Sequence, residues 1–277
     1  MHRSTPGFDS RLVSATLDDA LRQGARILGI SGLQGSGKST FAAQLAAHAR
    51  SRGLQCAVLS IDDVYLGHAD RQRLAREVHP LLATRGPPGT HEVALAIDVL
   101  DALRAGRGAA LPRFDKLADD RLPRARWPVA ARAVDLVVFE GWFLGTPAED
   151  DAALVAPLNA LERDEDADGR WRRWCNHALA RDYPALWQLI DRLLLLLPPS
   201  FGVVPEWRWQ AEQGLRDASG DASAGMDRAG VERFVQHHER TSRQALRTLP
   251  GIADHVITLD ALRRPAAAAT ALSRPRS

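Results

Sequence analysis

A glycine-rich phosphate-binding motif is the feature that most constrains the fold of this chain. Residues 32–39 read Gly-Leu-Gln-Gly-Ser-Gly-Lys-Ser and match GxxxxGK(S/T). An apolar run precedes the motif and a segment with helical spacing follows it, which is the strand-loop-helix context that the motif requires. Backbone amides in such a loop turn inward and, together with the positive end of the helix dipole, bind phosphate groups. The motif therefore predicts a P-loop inside an α/β fold.

The residue types along the loop predict how a nucleotide is held. Lys38 is expected to bridge the β- and γ-phosphates of ATP, which makes it a catalytic residue, and the Ser39 hydroxyl is expected to reach Mg2+. The GxGxxG pattern of dinucleotide-binding proteins is absent from the loop, which argues against a dinucleotide site. The predicted cofactors are ATP and Mg2+, and the predicted ATP-binding residues are Gly32, Gln34, Gly35, Ser36, Gly37, Lys38, Ser39 and Thr40.

Apolar runs alternate with helical segments along the chain. The runs cover residues 26–30, 57–61, 134–139, 192–197 and 255–259, and each ends in polar or turn residues, as buried parallel strands do. Residues 41–50 and 93–103 have helical spacing, and Gly53 and Gly106 follow them. The pattern predicts a P-loop NTPase fold with a central parallel sheet flanked by helices on both faces, and ligands outside the carboxyl ends of the strands.

The rest of the chain fits one domain with additions. A chain of 277 residues, 45% of them hydrophobic, can bury one sizeable core. We assign residues 1–262 to a single domain that includes a small helical lid at about 200–225. The acidic stretch 149–170 is predicted to be an exposed loop or excursion. Residues 263–277 lack a periodic apolar face and are predicted to form a disordered tail.

Composition restricts the partners and the compartment. The formal net charge is +2 with acids and bases interspersed, so there is no electrostatic case for a nucleic-acid partner. The first residues contain no long apolar stretch, so we expect no signal peptide and no membrane partner. The two cysteines lack a CxxC spacing, which fits a reducing compartment. The predicted location is the cytoplasm.

Three carboxylates follow predicted strands at the edge where the P-loop lies. Asp62 and Asp63 come directly after the second strand, and Asp62 is predicted to be the catalytic base for an acceptor hydroxyl, although adjacent acids at a strand end also serve as helix caps. Glu140 ends the run 134–139 and is predicted to act in catalysis by holding Mg2+, directly or through a bound water. Ser39 and Glu140 are thus the predicted metal residues.

Several motifs together resemble known kinases. Residues 32–40, Ser-Ile-Asp-Asp-Val-Tyr at 60–65 and Val-Phe-Glu-Gly-Trp at 138–142 resemble the group that contains uridine kinase, phosphoribulokinase and pantothenate kinase. His-Pro-Leu at 79–81, Arg-Gly-Pro-Pro-Gly-Thr-His-Glu at 85–92 and Leu-Pro-Arg-Phe-Asp-Lys at 111–116 resemble the plant-type D-glycerate 3-kinase family and its fungal and bacterial relatives. The resemblance implies ATP-dependent phosphorylation of D-glycerate to 3-phosphoglycerate.

The resemblance also implies roles for single residues. Asp62 matches the catalytic base and Glu140 the strand-end acid near magnesium, while residues 117–120 replace the glycine-rich continuation expected in glycerate kinases. A lid helix at 206–216 is expected to bring Arg208 or Arg216 to the ATP phosphates. The residues expected to bind the acceptor are Tyr65, His79, Arg85, His91, Arg113, Phe114, Lys116 and Arg121. The predicted acceptor is a small anion, because five basic residues of this set suit a carboxylate or a phosphate: Arg85, His91, Arg113, Lys116 and Arg121.

Two other functions fit the same motifs. The machinery can serve another acceptor, such as pantothenate, a nucleoside or a sugar phosphate. The chain can also be an ATP-binding switch that transfers no phosphate to a metabolite, although a carboxylate at the position of Asp62 favours a kinase.

Overall fold

The computed structural model of the protein describes residues 7–130, 134–219 and 225–266. Its β-strands in chain order are β1 (Ile27–Gly32), β2 (Cys56–Ser60), β3 (Ala109–Ala110), β4 (Phe114–Asp115), β5 (Asp120–Arg121), β6 (Val129–Ala130), β7 (Leu136–Gly141), β8 (Arg192–Leu197) and β9 (His255–Thr258). Its α-helices are α1 (Ser10–Arg22), α2 (Lys38–Ser51), α3 (His68–Glu77), α4 (Val93–Arg104), α5 (Ala160–Glu165), α6 (Arg170–Asp182), α7 (Pro184–Trp187), α8 (Val204–Ser219) and α9 (Arg228–Ile252).

The five apolar runs form one parallel sheet, which confirms the predicted fold class. The strand order is β2-β7-β1-β8-β9, so β1 lies in the middle. It pairs in parallel with β7 on one side and with β8 on the other. The P-loop follows β1 and therefore leaves the sheet at the centre of its carboxyl edge. Ligands bind at this edge in open α/β sheets.

The two faces of the sheet are covered by different helices. Leu28 and Ile30 face a core with α1 and α2, in which Phe41 and Leu45 are fully buried. Ile27, which precedes Leu28 on the same strand, belongs to a second core that includes residues of α4 and α9. Strand side chains point to alternate faces, so an uninterrupted apolar run serves both cores. The helix α1 lies before Ala25 and packs against α2.

A long crossover from β2 to β7 carries the residues expected to bind the acceptor. It contains α3 and α4 and two small antiparallel pairs, β3 with β6 and β4 with β5. The pair β4-β5 joins Phe114 to Arg121 in register. The crossover therefore folds back over the carboxyl edge as a layer of its own beside the P-loop.

The prediction of an exposed loop or excursion at 149–170 holds for most of its residues but not for two of its acids. The segment contains α5, and its carboxylates Glu162 and Asp166 are buried. Arg240 on α9 contacts Glu162 at 2.6 Å, and Arg172 contacts Asp166 at 2.9 Å. Arg240 is distant in sequence and Arg172 lies just beyond the segment, so a composition count of the segment itself could not detect that its acids are paired.

The predicted tail begins inside the described part of the chain. Residues 263–266 are described, and Arg263 donates to the P-loop carbonyl of Gly35 at 2.6 Å. Residues 267–277 lie outside the described residues, as do 220–224 of the predicted lid. Within the described ranges, the helices are too short or too polar to cross a membrane. Cys56 and Cys175 are free thiols; the cytoplasmic location stays a prediction.

Candidate active site

The P-loop closes tightly around a buried lysine. Gly35 and Gly37 have φ angles of +78° and +92°, which favour glycine, and a Cβ on Gly35 would lie 2.7 Å from the Cβ of Trp207. Lys38 is buried, and its Nζ donates to the carbonyl of Leu33 at 3.2 Å. Burial lowers the pKa of Lys38, while the carboxylates of Glu140 and Asp62 oppose that shift. The loop thus places a lysine next to two acids.

Ser39 and Glu140 meet where β7 ends beside the start of α2. The Ser39 Oγ donates to Glu140 Oε1 at 2.8 Å, and Glu140 is buried. Burial raises the pKa of Glu140, against the effect of the Lys38 ammonium. Hydroxyl and carboxylate oxygens are the ligand types that Mg2+ takes together with waters and phosphates. This donor set fits Mg2+.

The adjacent acids after β2 have different surroundings. A short 3-10 helix begins there, and Asp63 forms its capping box with Ser60. The Asp63 carboxylate also accepts from Arg113 at 3.0 Å. Asp62 faces the other way, where Tyr65 OH donates to its Oδ1 at 2.7 Å and Lys116 Nζ donates to its Oδ2 at 2.7 Å. One acid is therefore structural and the other is presented to the P-loop side.

The charge around Asp62 keeps it ionised. Burial alone would raise the pKa of this carboxyl, but the Lys116 ammonium and the hydrogen bonds from Lys116 and Tyr65 hold the pKa well below its ordinary value. Asp62 in turn raises the pKa of Lys116, which favours the charged ammonium. Each side chain of the pair thus holds the other in its charged form.

One cleft at the carboxyl edge joins these groups. It encloses about 770 Å³, counted with its solvent-open mouth. Its lining residues come from the P-loop, the crossover, the end of β7, α8 and α9: Gln34, Gly35, Lys38, Ser39, Asp62, Tyr65, Arg85, Lys116, Glu140, Trp142, Arg208, Phe234 and His238. We call this cleft the main cavity. It holds both the predicted phosphate-binding lysine and the predicted base.

The chain is similar to characterised and uncharacterised kinases over most of its length. The uncharacterized kinase mug58 of Schizosaccharomyces pombe is 34% identical over 221 residues, covering 76% of this chain and 78% of that protein. The chain belongs to the D-glycerate 3-kinase family and its fungal and bacterial relatives. D-glycerate 3-kinase, chloroplastic, of Arabidopsis thaliana is 29% identical over 237 residues, and the match covers 80% of this chain but 48% of that plant member of the family.

Structural comparison supports the fold of this glycerate 3-kinase family member. The D-glycerate 3-kinase from Cryptococcus neoformans var. grubii serotype A superposes with a TM-score of 0.75 at 24% identity, covering 92% of this chain and 97% of the other. A family model for methylmalonyl-CoA mutase-associated GTPase MeaB matches residues 9–75, the part that includes the P-loop and Asp62. The structural likeness shows the fold, and the sequence relatives, which are kinases, identify the protein as a P-loop kinase and imply that it uses ATP.

Three of the residues that the family resemblance assigned to the acceptor line the main cavity. They are Tyr65, Arg85 and Lys116. Tyr65 and Lys116 both contact Asp62, as described above, and Arg85 is paired with Asp119 in the segment that departs from the family pattern. Arg71, which is fully buried, forms a second ion pair with the same Asp119. The cavity thus has a basic side formed by Arg85 and Lys116.

The other five residues assigned to the acceptor do not line the cavity. Arg113 pairs with Asp63 and Arg121 pairs with Glu92. The ring of Phe114 packs edge-on against Tyr65, with centroids 5.2 Å apart. His79 caps a short 3-10 helix by accepting from the amide of Leu81. These four side chains are thus outside the lining of the cavity.

The expectation that His91 supplies positive charge is wrong. His91 is 5% exposed, and its Nδ1 lies 2.7 Å from the hydroxyl of Tyr183. Burial lowers the pKa of His91 to about 3, so the ring is neutral at physiological pH. Its position next to Tyr65, with ring centroids 4.8 Å apart, gives it a packing role.

The lid helix brings one of its two expected arginines to the cavity. Arg208 lines the cavity, lies over the ring of Phe234 at 5.0 Å and pairs with Glu212. Arg216 does not line the cavity. It donates to the carbonyl of Met226 at 2.7 Å and stacks on Trp209. The buried Trp207 of the same helix packs against the P-loop.

Four residues near the site were not predicted. Trp142, Phe234 and His238 line the cavity, and Arg263 contacts the P-loop. Trp142 stood inside the motif at 138–142, so its proximity to Glu140 was a usable signal. Phe234 and His238 lie on α9, which sequence periodicity marks as a core helix, and no local pattern separates its cavity-facing turn from its core-facing turns.

Proposed function

We propose that the protein transfers the γ-phosphate of ATP to a hydroxyl of D-glycerate, giving 3-phosphoglycerate. The observation that carries the proposal is the position of Asp62. Its carboxylate lines the same cavity as Lys38, and hydrogen bonds from Lys116 and Tyr65 stabilise its ionised form. A carboxylate so placed can accept a hydrogen bond from an acceptor hydroxyl and align its oxygen with the γ-phosphorus.

The basic side of the cavity supports a carboxylate on the acceptor. Arg85 and Lys116 line the cavity, and both are already paired with acids of the chain, Asp119 and Asp62. An acceptor carboxylate would share these cations with the internal acids. When it draws the Lys116 ammonium away from Asp62, the pKa of Asp62 rises and the carboxylate becomes a stronger base. Binding of the correct acceptor would thereby activate its own base.

The transfer itself needs little covalent participation by the protein. The acceptor oxygen forms a bond to the γ-phosphorus as the bond from that phosphorus to the β-γ bridging oxygen breaks, and ADP leaves. The hydroxyl proton passes to Asp62. Lys38, inside the loop, stabilises the negative charge that develops on the phosphoryl oxygens. We propose the residues 32–40 as the ATP-binding residues in this step.

Ser39 and Glu140 are the proposed residues for Mg2+. The metal would neutralise charge on the β- and γ-phosphates, as it does in other P-loop enzymes. Glu140 would hold it directly or through water, and its contact with Ser39 already orients the two oxygen donors. Among residues 7–130, 134–219 and 225–266, His, Cys, Asp and Glu form no cluster of three suited to a metal, which fits an ion held mainly by phosphates and water.

The lid is proposed to be α8. Arg208 lines the same cavity as the P-loop, so closure of the helix over the nucleotide would bring a cation to the phosphates and exclude water. Arg216 is the second candidate from the sequence, and it would need a larger movement because it stacks on Trp209.

The proposal is tested by ADP release from the purified protein with Mg2+ and ATP. D-glycerate is compared with L-glycerate, pantothenate, uridine, a sugar phosphate and no acceptor. We expect D-glycerate to stimulate ADP release well above the others. Stimulation by another compound would overturn the acceptor and keep the kinase mechanism, and ATP binding without stimulation by any acceptor would favour the nucleotide switch.

A further inference from the structure

Asp119 is held in an unusual backbone conformation next to the basic side of the main cavity. It lies in the loop that joins β4 to β5, and its φ angle is +52°. Residues other than glycine rarely adopt this left-handed region, although Asp and Asn tolerate it better than most. Such a conformation persists only where the surroundings hold it, so it marks a residue to be examined for a functional role.

Two arginines hold the Asp119 carboxylate. Arg71, which is fully buried, donates to Oδ2 at 2.5 Å and to the backbone carbonyl of Asp119 at 3.0 Å. Arg85 pairs with the other oxygen, Oδ1, and His68 Nδ1 lies 3.2 Å from Oδ2. Burial alone would raise the pKa of Asp119, but the hydrogen bonds from Arg85 and His68 and the charge of Arg71 hold that pKa below its ordinary value. One ionised carboxylate is thus shared by two guanidinium groups.

Arg85 is the member of this cluster that meets the main cavity. It lines the cavity, and its side chain is 23% exposed. Its guanidinium lies over the ring of Phe114 at 5.4 Å and donates to the carbonyl of Lys116 at 3.3 Å. A guanidinium has five N–H donors, and residues that the structure describes take up two of those on Arg85, through Asp119 and the Lys116 carbonyl. Arg85 therefore keeps donors for an anion, while Asp119 offsets part of its charge.

The ion pairs of the acceptor side leave one positive charge over. The cations are Arg71, Arg85 and Lys116, and the carboxylates paired with them are Asp119 and Asp62. One excess positive charge suits an acceptor with one carboxylate. Without Asp119 the excess would be two positive charges, which suits the two negative charges of a phosphate monoester instead.

We propose that Asp119 sets the charge of the acceptor, so that the cavity accepts a hydroxy acid with one negative charge and rejects hydroxyl compounds that carry a phosphate. Asp119 is a positioning residue in this role, because it acts on the acceptor through Arg85. Repulsion of the wrong partner is a general source of specificity. The inference rests on the proposed function and extends it to a rule that excludes sugar phosphates by their charge.

The test compares two hydroxyl acceptors with the same three-carbon skeleton. D-glycerate carries one negative charge and glycerol 3-phosphate carries about two. The measured quantity is the ratio of kcat/KM for glycerol 3-phosphate to kcat/KM for D-glycerate. Asp119→Asn keeps a residue type that tolerates the positive φ, and it is expected to raise the ratio about tenfold, an effect between those of a charge pair in water and of one near a protein surface. The increase should shrink at high salt, to which a purely structural effect would not respond in this way.

Asp120→Asn is the matched control. Asp120 is the exposed neighbour, and its carboxylate accepts from the backbone amides of His68 at 3.1 Å and Arg121 at 2.8 Å. The control removes the same charge from the same loop and leaves the ion pair of Asp119 with Arg85 in place, so the ratio should change less than twofold. An equal increase in both variants would overturn the inference, because the total charge and not the ion pair would then set the preference. A native ratio in Asp119→Asn would overturn it as well, while the kinase stands.

A binding measurement separates this inference from the proposed function. Succinate and succinamate have the same length and differ by one negative charge. Each is titrated calorimetrically into the protein loaded with Mg2+ and a non-hydrolysable ATP analogue. Asp119→Asn is expected to shift the ratio of the two Kd values about tenfold in favour of succinate. An unchanged ratio, or binding of neither acid, overturns the inference even if D-glycerate is phosphorylated. The expected shift without any stimulation by D-glycerate supports the charge rule and overturns D-glycerate as the acceptor.

Discussion

The nucleotide side and the acceptor side of the main cavity are built in different ways. The nucleotide side is one contiguous loop between β1 and α2. Its shape depends on the backbone, which has positive φ angles at Gly35 and Gly37. The acceptor side consists of side chains from the crossover, β7 and α9, several of which are paired with one another. A backbone cradle is specified by a short motif, whereas a side-chain site is specified by the tertiary fold.

This difference has a consequence for function. A cradle of backbone amides binds phosphates in any P-loop protein and carries no information about the acceptor. We therefore expect the choice of acceptor to depend on the side chains that line the cavity around Asp62 and Arg85. Variants on the two sides should separate accordingly, with nucleotide-side changes lowering turnover of every acceptor and acceptor-side changes altering the preference among acceptors.

The largest effect is expected for Asp62→Asn, at the border of the two sides. Loss of the base should lower kcat by about a thousandfold, because a positioned base contributes roughly 10²- to 10⁴-fold, and the KM for ATP should change little. The measurement is steady-state ADP release. Asp63→Asn is the control, since Asp63 caps a helix and pairs with Arg113 outside the cavity. Equal losses in the two variants would contradict the assignment of the base.

Lys38→Met is expected to lower kcat about a hundredfold for every acceptor, since removal of one preorganised charge from the transition state costs roughly 10² to 10³. The ratio between acceptors should stay constant. Single-turnover transfer from labelled ATP checks both points. A variant that changes acceptor preference would show that Lys38 contacts the acceptor, and the division of the cavity into two sides would then be wrong.

The same division explains what could be predicted from the sequence. The five strands, the loop and the carboxylates at the strand ends follow from local patterns, because apolar runs and glycine spacing are properties of neighbouring residues. The family resemblance supported Asp62 over Asp63 as the base, which stays a proposal, and the structure adds a physical reason: Asp63 is already paired with Ser60 and Arg113. Local sequence could not supply that reason.

Basic residues of the acceptor side show the limit of sequence reasoning. Counting cations suggested five donors for an anionic acceptor, yet Arg113 and Arg121 are paired with acids away from the cavity and His91 is neutral. Arg208 joins the cavity from a helix that lies far along the chain. Contacts between residues so distant in sequence depend on the three-dimensional fold, and no rule on sequence spacing predicts them.

A smaller effect, on pH dependence, is expected for Lys116→Met. The Lys116 ammonium holds the pKa of Asp62 down against the opposing effect of burial. Without it, the pKa of Asp62 rises, so the carboxylate is lost at a higher pH. The acidic limb of the kcat/KM profile should therefore move upward by about 1 to 3 pH units. The KM for the acceptor should also rise about tenfold if Lys116 binds its carboxylate.

Arg113→Met is the control for that measurement. Arg113 pairs with Asp63, the neighbour of Asp62, and lies outside the lining of the main cavity. Its loss should lower the temperature of unfolding and leave the acidic limb in place. An acidic limb that stays fixed in Lys116→Met as well would mean that another group than Asp62 controls it.

The smallest effect is expected at Arg263, which joins the nucleotide side to the lid. Its guanidinium donates to Gly35 in the P-loop at 2.6 Å and to Gln210 on α8 at 2.8 Å, and it stacks on Trp207. Arg263→Met should loosen the loop and raise the KM for ATP about threefold to tenfold, the range of one or two hydrogen bonds, without changing the ratio between acceptors. The exposed neighbour Arg264 gives the control variant Arg264→Met. If acceptor preference changed with Arg263→Met, α8 would belong to both sides of the cavity, and the separation between a fixed cradle and a selective acceptor site would have to be redrawn around the lid.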